Sequence, residues 1–217
     1  VKALLLIQVG FVIIGGWIFF ELALLLLASL VPEPDRRYIW RTEPIARMIG
    51  PLAIGLGVAY FLSPHIQNAL LTEFHAAPLA VPLILWAFWA IENATQVPPA
   101  SSSWSTSGTY WIQFVVATML TAAVKEEMAL LAVGLGLWAL YKLIIATLPL
   151  SADRSTLFVP VAISVGTSIL CFVWFYLATF VIVPAHAVEV YETAENPYWA
   201  RYGALGDSPV DIIRLSL

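Results

Sequence analysis

The chain has 217 residues, 61% of them hydrophobic and 11% charged, with a formal net charge of −4 at pH 7. Soluble domains carry about a quarter charged residues, so this composition indicates an integral membrane protein whose main partner is the lipid bilayer. Ten basic residues against fourteen acidic ones leave no basic surface for nucleic acid, which we therefore exclude as a partner. The single cysteine excludes a disulfide framework and a cysteine-based metal site.

Apolar segments predict an all-α fold, a polytopic bundle of about six transmembrane helices. The six runs long enough to form such helices are 3–30, 45–62, 76–91, 110–124, 128–149 and 157–183. Their continuous apolarity, without alternation, excludes a β-barrel. A spanning helix needs about 20 residues, so the helices of the third and fourth runs are expected either to be short or to include flanking residues. We expect residues 1–183 to form the bundle and 184–217 to form an extracytoplasmic tail or the start of a further segment.

Basic residues predict the orientation of the bundle. Three arginines lie in the loop 31–44, and Lys142 and Arg154 flank the loop after the fifth run. Because cytoplasmic loops are enriched in Lys and Arg, alternation of six helices places 63–75, 125–127 and the tail outside. The connection between the third and fourth runs has no basic residue and the tail has two, and both observations weaken this scheme.

Three consecutive charges, Lys125, Glu126 and Glu127, interrupt the apolar stretch from Ile112 to Trp138. Each charge at the bilayer centre costs about 2.5 to 3.5 kcal/mol, so the three together would cost about 8 to 10 kcal/mol. They therefore indicate a turn between two helices. A plain solvated turn is one interpretation, and a recessed turn that lines a polar vestibule is the other.

Two further polar clusters are predicted on the same side. Glu73 and His75 precede the third run and suit a metal or acid–base pair, although Glu73 also suits a helix start and His75 the interface. In the tail, "GALGDSP" predicts a turn into a helix capped by Asp207 or Ser208. The backbone donors of such a helix start can bind phosphate, but capping alone explains Asp207 equally well.

The stretches "TEFHAAP", "VKEEM" and "RYGALGDSP" resemble, in order and rough spacing, the bacterial and archaeal membrane proteins grouped as domain of unknown function 2079. The resemblance covers nearly the whole chain, with Ala77 and Pro78 departing slightly from the first motif. The family is similar to the GT-C type of polytopic glycosyltransferases, which implies a GT-C-like fold. It also implies a plasma-membrane enzyme that uses polyprenyl-phosphate sugars at the extracytoplasmic face.

The resemblance implies two groups of site residues. The candidates for catalysis are Glu73, His75, Lys125, Glu126, Glu127 and Asp207. The candidates for binding substrate phosphate are Arg201, Tyr202 and Ser208. A divalent metal ion is the cofactor that such carboxylates would bind, with its ligands left open.

Two other functions stay open. The acidic first outer loop of GT-C enzymes is not found in the chain, which begins at Val1 without a basic leader. We therefore expect a longer polypeptide with the catalytic base upstream. A non-catalytic subunit of a larger membrane complex is the first alternative, favoured by glycines that let helices approach closely. A transporter that moves a proton or ion through Lys125 and its neighbours is the second, although no inverted repeat supports it.

Overall fold

The computed structural model describes residues 2–29, 44–64, 66–67, 76–96, 104–147, 154–183 and 185, and these contain helices but no strand. The helices are α1 (Lys2–Ser29), α2 (Pro44–Leu62), α3 (Ala77–Gln96), α4 (Trp104–Val124), α5 (Glu126–Thr147) and α6 (Arg154–Leu177). A π-helical segment, Ala178–Ile182, continues α6. The prediction of an all-α bundle of about six helices is confirmed.

Five of these helices are long and apolar enough to cross a membrane. Their candidate spans are Ala3–Ser29, Pro78–Thr95, Ser107–Val124, Glu126–Ile145 and Leu157–Ile182. In α2 the apolar part, Met48–Leu62, is shorter. The chain is therefore a multi-pass membrane protein in contact with the bilayer.

Two helices are longer than the apolar runs predict. The third run was expected to end at residue 91, but α3 continues to Gln96 and has 20 residues. The fourth was expected to begin at residue 110, but α4 begins at Trp104 and has 21 residues. Both helices therefore take in flanking polar residues, the second of the two alternatives, because polar side chains inside a helix do not end it when they have partners.

The end of α3 shows how these polar groups are accommodated. The Asn93 amide donates to the Trp89 carbonyl at 2.8 Å, and the Thr95 hydroxyl donates to the Ile91 carbonyl at 2.9 Å. Both side chains thus bond to their own helix. Glu92 forms an ion pair with Lys142 of α5.

Side-chain contacts show that α3 and α4 are antiparallel. The Trp86 indole donates to the Gln113 side-chain oxygen at 3.1 Å. Three residues later, the Trp89 ring meets that of Tyr110, with centroids 5.6 Å apart. Residue numbers therefore increase along α3 in the direction in which they decrease along α4, which makes the two helices antiparallel.

Side-chain contacts likewise show that α3 and α5 are parallel. The rings of Phe88 and Trp138 are 6.2 Å apart, and four residues further along both helices Lys142 bonds to Glu92. The start of α3, the α4–α5 turn and the start of α5 therefore share one end of the bundle. We call this the turn end.

The core lies where α3, α4 and α5 meet. Small side chains let these helices approach closely, and two large rings, Trp111 and Phe114, fill the space between them. The fully buried alanines of this cluster are Ala87, Ala90, Ala117 and Ala139. In the absence of water, this close packing takes over the role that hydrophobic burial has in a soluble core.

Glycines place α6 against α5 and α2 against α1. A Cβ added at Gly136 would lie 3.0 Å from the Ser164 carbonyl oxygen of α6, so the two backbones nearly touch there. Gly16 of α1 is covered by the ring of Phe61, and Gly57 of α2 faces Phe20. Because numbers on α1 rise as those on α2 fall, α1 and α2 are antiparallel.

Candidate functional site

The charged trio forms the turn between α4 and α5, as predicted. Only Lys125 separates the two helices, and its carbonyl accepts a hydrogen bond from the Met128 N–H at 2.9 Å. The Lys125 ammonium lies 2.8 Å from a carboxylate oxygen of Glu127, and their side chains are 35% and 40% exposed. The charges thus lie at the end of the two helices, where they are partly accessible.

Helix electrostatics explains part of this arrangement. Glu126 and Glu127 occupy the first turn of α5, where the helix dipole favours negative charge. Lys125 directly follows α4, whose C-terminal end favours positive charge. An ion pair this exposed contributes only about 0 to 1 kcal/mol, so the pairing itself is easily exchanged for another partner.

Helix α1 extends beyond the turn end. A Cβ added at Gly15 would lie 3.4 Å from the Cβ of Pro82, so these two residues are at the same level. Further along both helices, Glu21 of α1 and Trp89 of α3 line one groove, so α1 and α3 run parallel. Since both advance about 1.5 Å per residue, the start of α3 at Ala77 is level with about residue 10 of α1. Helix α1 begins at Lys2, about eight residues or 12 Å further out.

Helix α6 extends in the same way. The Trp174 indole donates to the Ala122 carbonyl at 3.2 Å, two residues before α4 ends. From Trp174 the helical backbone continues to Ile182, so α6 passes the end of α4 by about 9 Å. Both extensions belong to apolar candidate spans. The Lys125 turn therefore lies about 10 Å closer to the bundle centre than the ends of α1 and α6.

Helix α2 ends even deeper. Its Tyr60 and Phe61 lie against Gly15 and Gly16 in the middle of α1. Since Gly15 is level with Pro82, the end of α2 lies about five residues, or 8 Å, below the start of α3. Helix α2 thus ends within the thickness of the bundle, whereas α3 begins at the turn end.

Only three of the predicted site residues lie among the residues that the structure describes, namely Lys125, Glu126 and Glu127. The other predicted residues, Glu73, His75, Arg201, Tyr202, Asp207 and Ser208, lie outside them. Ala76, which directly follows His75, is described and precedes α3 at the turn end. Within the described residues, no group of three or more His, Cys, Asp or Glu side chains could hold a metal ion.

A second ion pair, which the sequence analysis did not predict, lies towards the opposite end. The Lys142 ammonium of α5 is 2.9 Å from a carboxylate oxygen of Glu92 on α3. The Glu92 side chain is 7% exposed and that of Lys142 is 28% exposed. The sequence signal for this pair is one acidic and one basic residue near the ends of two apolar helices, Glu92 on α3 and Lys142 on α5.

A third polar feature, also not predicted, is the single acidic residue of α1. Glu21 is the one charge in the 27-residue candidate span Ala3–Ser29, and it lines a groove between α1, α3 and α4. A lone carboxylate at membrane depth is the signal that could have identified it.

A model of the family described as "Predicted membrane protein (DUF2079)" matches residues 1–215, nearly the whole chain. No curated protein and no solved structure matches the chain. The resemblance inferred from the three sequence motifs is therefore confirmed, while the similarity to GT-C enzymes stays a prediction.

Proposed function

We propose that this chain, which belongs to the DUF2079 family of predicted membrane proteins, is part of a plasma-membrane enzyme that transfers sugars from polyprenyl-phosphate donors. The observation that carries the proposal is the position of the Lys125 turn. Its charges lie at one end of the bundle, about 10 Å nearer the centre than the apolar ends of α1 and α6. A lipid-borne donor would reach such a site from the bilayer and a polar acceptor from the water.

The proposed vestibule takes its polar groups from three segments. The Lys125 turn supplies the first group, and 63–75 and the tail supply Glu73, His75 and Asp207. The depth of the end of α2 supports the inclusion of 63–75, because that segment starts about 8 Å below the level of Ala77. The end of α6, from which the tail follows, is at the turn end as well.

The chemistry requires a base and a cation. A carboxylate would take the proton of the acceptor hydroxyl, and we place this role on Glu126 or Glu127 of the described turn rather than on the upstream acidic residue that the GT-C resemblance implies. The acceptor oxygen then bonds to the anomeric carbon, while the bond from that carbon to the phosphate oxygen breaks and its electron pair leaves with the polyprenyl phosphate. Lys125, together with Arg201, Tyr202 and Ser208, would hold the phosphate. A divalent metal bound by the carboxylates would supply further positive charge.

The observed Lys125–Glu127 pair fits this scheme as a resting arrangement. The donor phosphate, a diester, carries one negative charge as a carboxylate does, and it gains a second charge when the sugar leaves, so it would compete for the Lys125 ammonium. Release of Glu127 would then free its carboxylate to act as a base or metal ligand. Because the pair is exposed and therefore weak, this exchange costs little.

The test is sugar transfer from a polyprenyl-phosphate donor by the full-length protein in liposomes. We expect Glu126→Gln or Glu127→Gln, whichever residue is the base, to lower turnover by about 10²-fold or more. Lys125→Ala should raise the donor concentration needed for half-maximal rate. Gly134→Ala is the matched control, because a Cβ there meets nothing within 4 Å. Turnover equal to wild type in all three charge variants would contradict the proposal.

A non-catalytic subunit of a membrane complex is the second candidate. It is favoured by glycines whose added Cβ would meet nothing within 4 Å, among them Gly10 and Gly55. Small residues on open helix faces allow close approach of partner helices. If the chain works as such a subunit, the detergent-solubilised native particle will contain other polypeptides in fixed ratio, and the purified chain alone will lack transferase activity.

A further inference from the structure

A groove of about 400 Å³ lies between α1, α3 and α4, away from the charged turn. Its lining residues are predominantly apolar and aromatic: Ile14, Trp17, Ile18, Glu21, Trp86, Trp89 and Gln113. Ile14 and Trp17 are 53% and 66% exposed, so the groove opens on the surface of the bundle that faces the bilayer. A pocket of this size and lining is typical of small-molecule sites.

Glu21 is the feature of this groove that needs explanation. Since Gly15 is level with Pro82, Glu21 is level with about residue 88, within about 3 Å of the midpoint of α3. Among the residues that the structure describes, none forms a hydrogen bond or ion pair with Glu21. A carboxylate at this depth calls for a partner, because such groups are otherwise paired or face water.

The rest of the lining indicates which partner. Three indole rings, Trp17, Trp86 and Trp89, surround the groove, and the faces of indole rings attract cations. The Gln113 side-chain oxygen accepts a hydrogen bond from the Trp86 indole, which engages one of its two lone pairs. A hard metal ion held by one carboxylate would keep several waters, and this predominantly apolar lining offers such waters few hydrogen-bond partners.

We propose that this groove binds an organic cation, an ammonium group on an apolar body, with Glu21 as counter-ion and the three indoles as the aromatic wall. The ligand is a small lipophilic amine that enters from the bilayer. The head group of an aminolipid fits less well, because it lies about 15 Å from the bilayer midplane. This binding function is independent of the proposed sugar transfer at the turn end.

Two isosteric probes test the proposal on the full chain in a neutral maltoside detergent. Phenyltrimethylammonium carries a quaternary nitrogen where tert-butylbenzene has carbon, so the two differ in charge but hardly in shape. By calorimetry, we expect the wild-type protein to bind the ammonium probe at least about tenfold more tightly. Glu21→Gln should remove this preference, whereas Glu21→Asp should keep part of it and Gly134→Ala all of it.

Equal affinity of the two probes for the wild-type protein would overturn the proposal, and this comparison does not depend on any variant folding. A preference that survives unchanged in a folded Glu21→Gln protein, as judged by helicity and elution volume, would also overturn it. Trp86→Phe tests the role of the indole rings. Affinity for the ammonium probe should fall by about two- to fivefold, because a phenyl ring attracts cations less strongly than an indole.

Discussion

Removing one partner at a time from the Glu92–Lys142 pair should have unequal effects on stability. Lys142→Met leaves the Glu92 carboxylate, 5% exposed as a whole residue, without its cation inside the bundle. Breaking a buried pair in this way costs about 3 to 5 kcal/mol, because a desolvated charge is left behind. We therefore expect Lys142→Met to lower the free energy of unfolding by about 3 kcal/mol or more.

The reverse change should cost less. Glu92→Gln leaves Lys142, whose side chain is 28% exposed and which lies five residues from the end of α5. That distance is about 8 Å along the helix, within reach of a long side chain that extends towards the interface. A loss of about 1 to 2 kcal/mol is expected, since the remaining cation can regain solvent.

The double variant separates the cost of an unpaired charge from the cost of losing the ion pair. With both charges gone, neither residue leaves an unpaired ion, so Glu92→Gln/Lys142→Met should be more stable than Lys142→Met alone. Unfolding in mixed micelles, followed by helical circular dichroism, measures all three changes. Equal destabilisation by the two single variants, or a double variant as unstable as the sum of both, would refute the view that an uncompensated Glu92 dominates the cost.

The remaining predictions concern packing and orientation. Gly136→Ala should lower the free energy of unfolding by about 1 to 3 kcal/mol, since its Cβ would press on the Ser164 carbonyl, while Gly134→Ala should have little effect. Thermal unfolding of the two variants checks this, and equal losses would contradict the packing described for α5 and α6. For orientation, an impermeant thiol reagent added outside cells should label Ser208→Cys but not Ser102→Cys in a Cys171→Ser background. Labelling of Ser102→Cys alone would invert the orientation.

Local composition predicted the existence of the helices better than their ends. Long apolar runs identify membrane helices because the bilayer interior requires them. The end of α3 was misplaced since Glu92 and Asn93 look like the start of a polar loop. The side chain that accommodates Glu92 is Lys142, 50 residues away, and only the parallel packing of α3 and α5 brings the two together.

The position of the charged turn is predicted correctly from the sequence, but the length of the helix before it is not. The 15-residue run before the turn favours a recessed turn, since so short a helix crosses a bilayer only with tilt or thinning, yet α4 has 21 residues; α5 has 22, the length expected from the sequence. The position of the turn relative to α1 and α6 depends on how the helices are aligned. That alignment is set by contacts such as Gly15 with Pro82, which no single segment reveals.

The Glu21 groove also depends on helix packing that the sequence alone does not reveal. Its lining residues come from three helices, and only packing puts Trp86 and Gln113 beside α1. A lone acidic residue in an apolar span is visible in the sequence, but its partners are not. What the pattern does predict is that such a residue has a functional or packing reason to be there.

The depth of the Lys125 turn is tested most directly by spin labels placed at single cysteines. Labels at Lys125→Cys, Ala3→Cys and Ile182→Cys, each in the Cys171→Ser background, would be compared in liposomes by their relative collision rates with oxygen and a water-soluble nickel complex. We expect the label at position 125 to lie about 10 Å closer to the bilayer centre than the other two, while still in contact with the nickel complex. A label at position 125 that lies at the same depth as the others or further out would contradict the proposed vestibule.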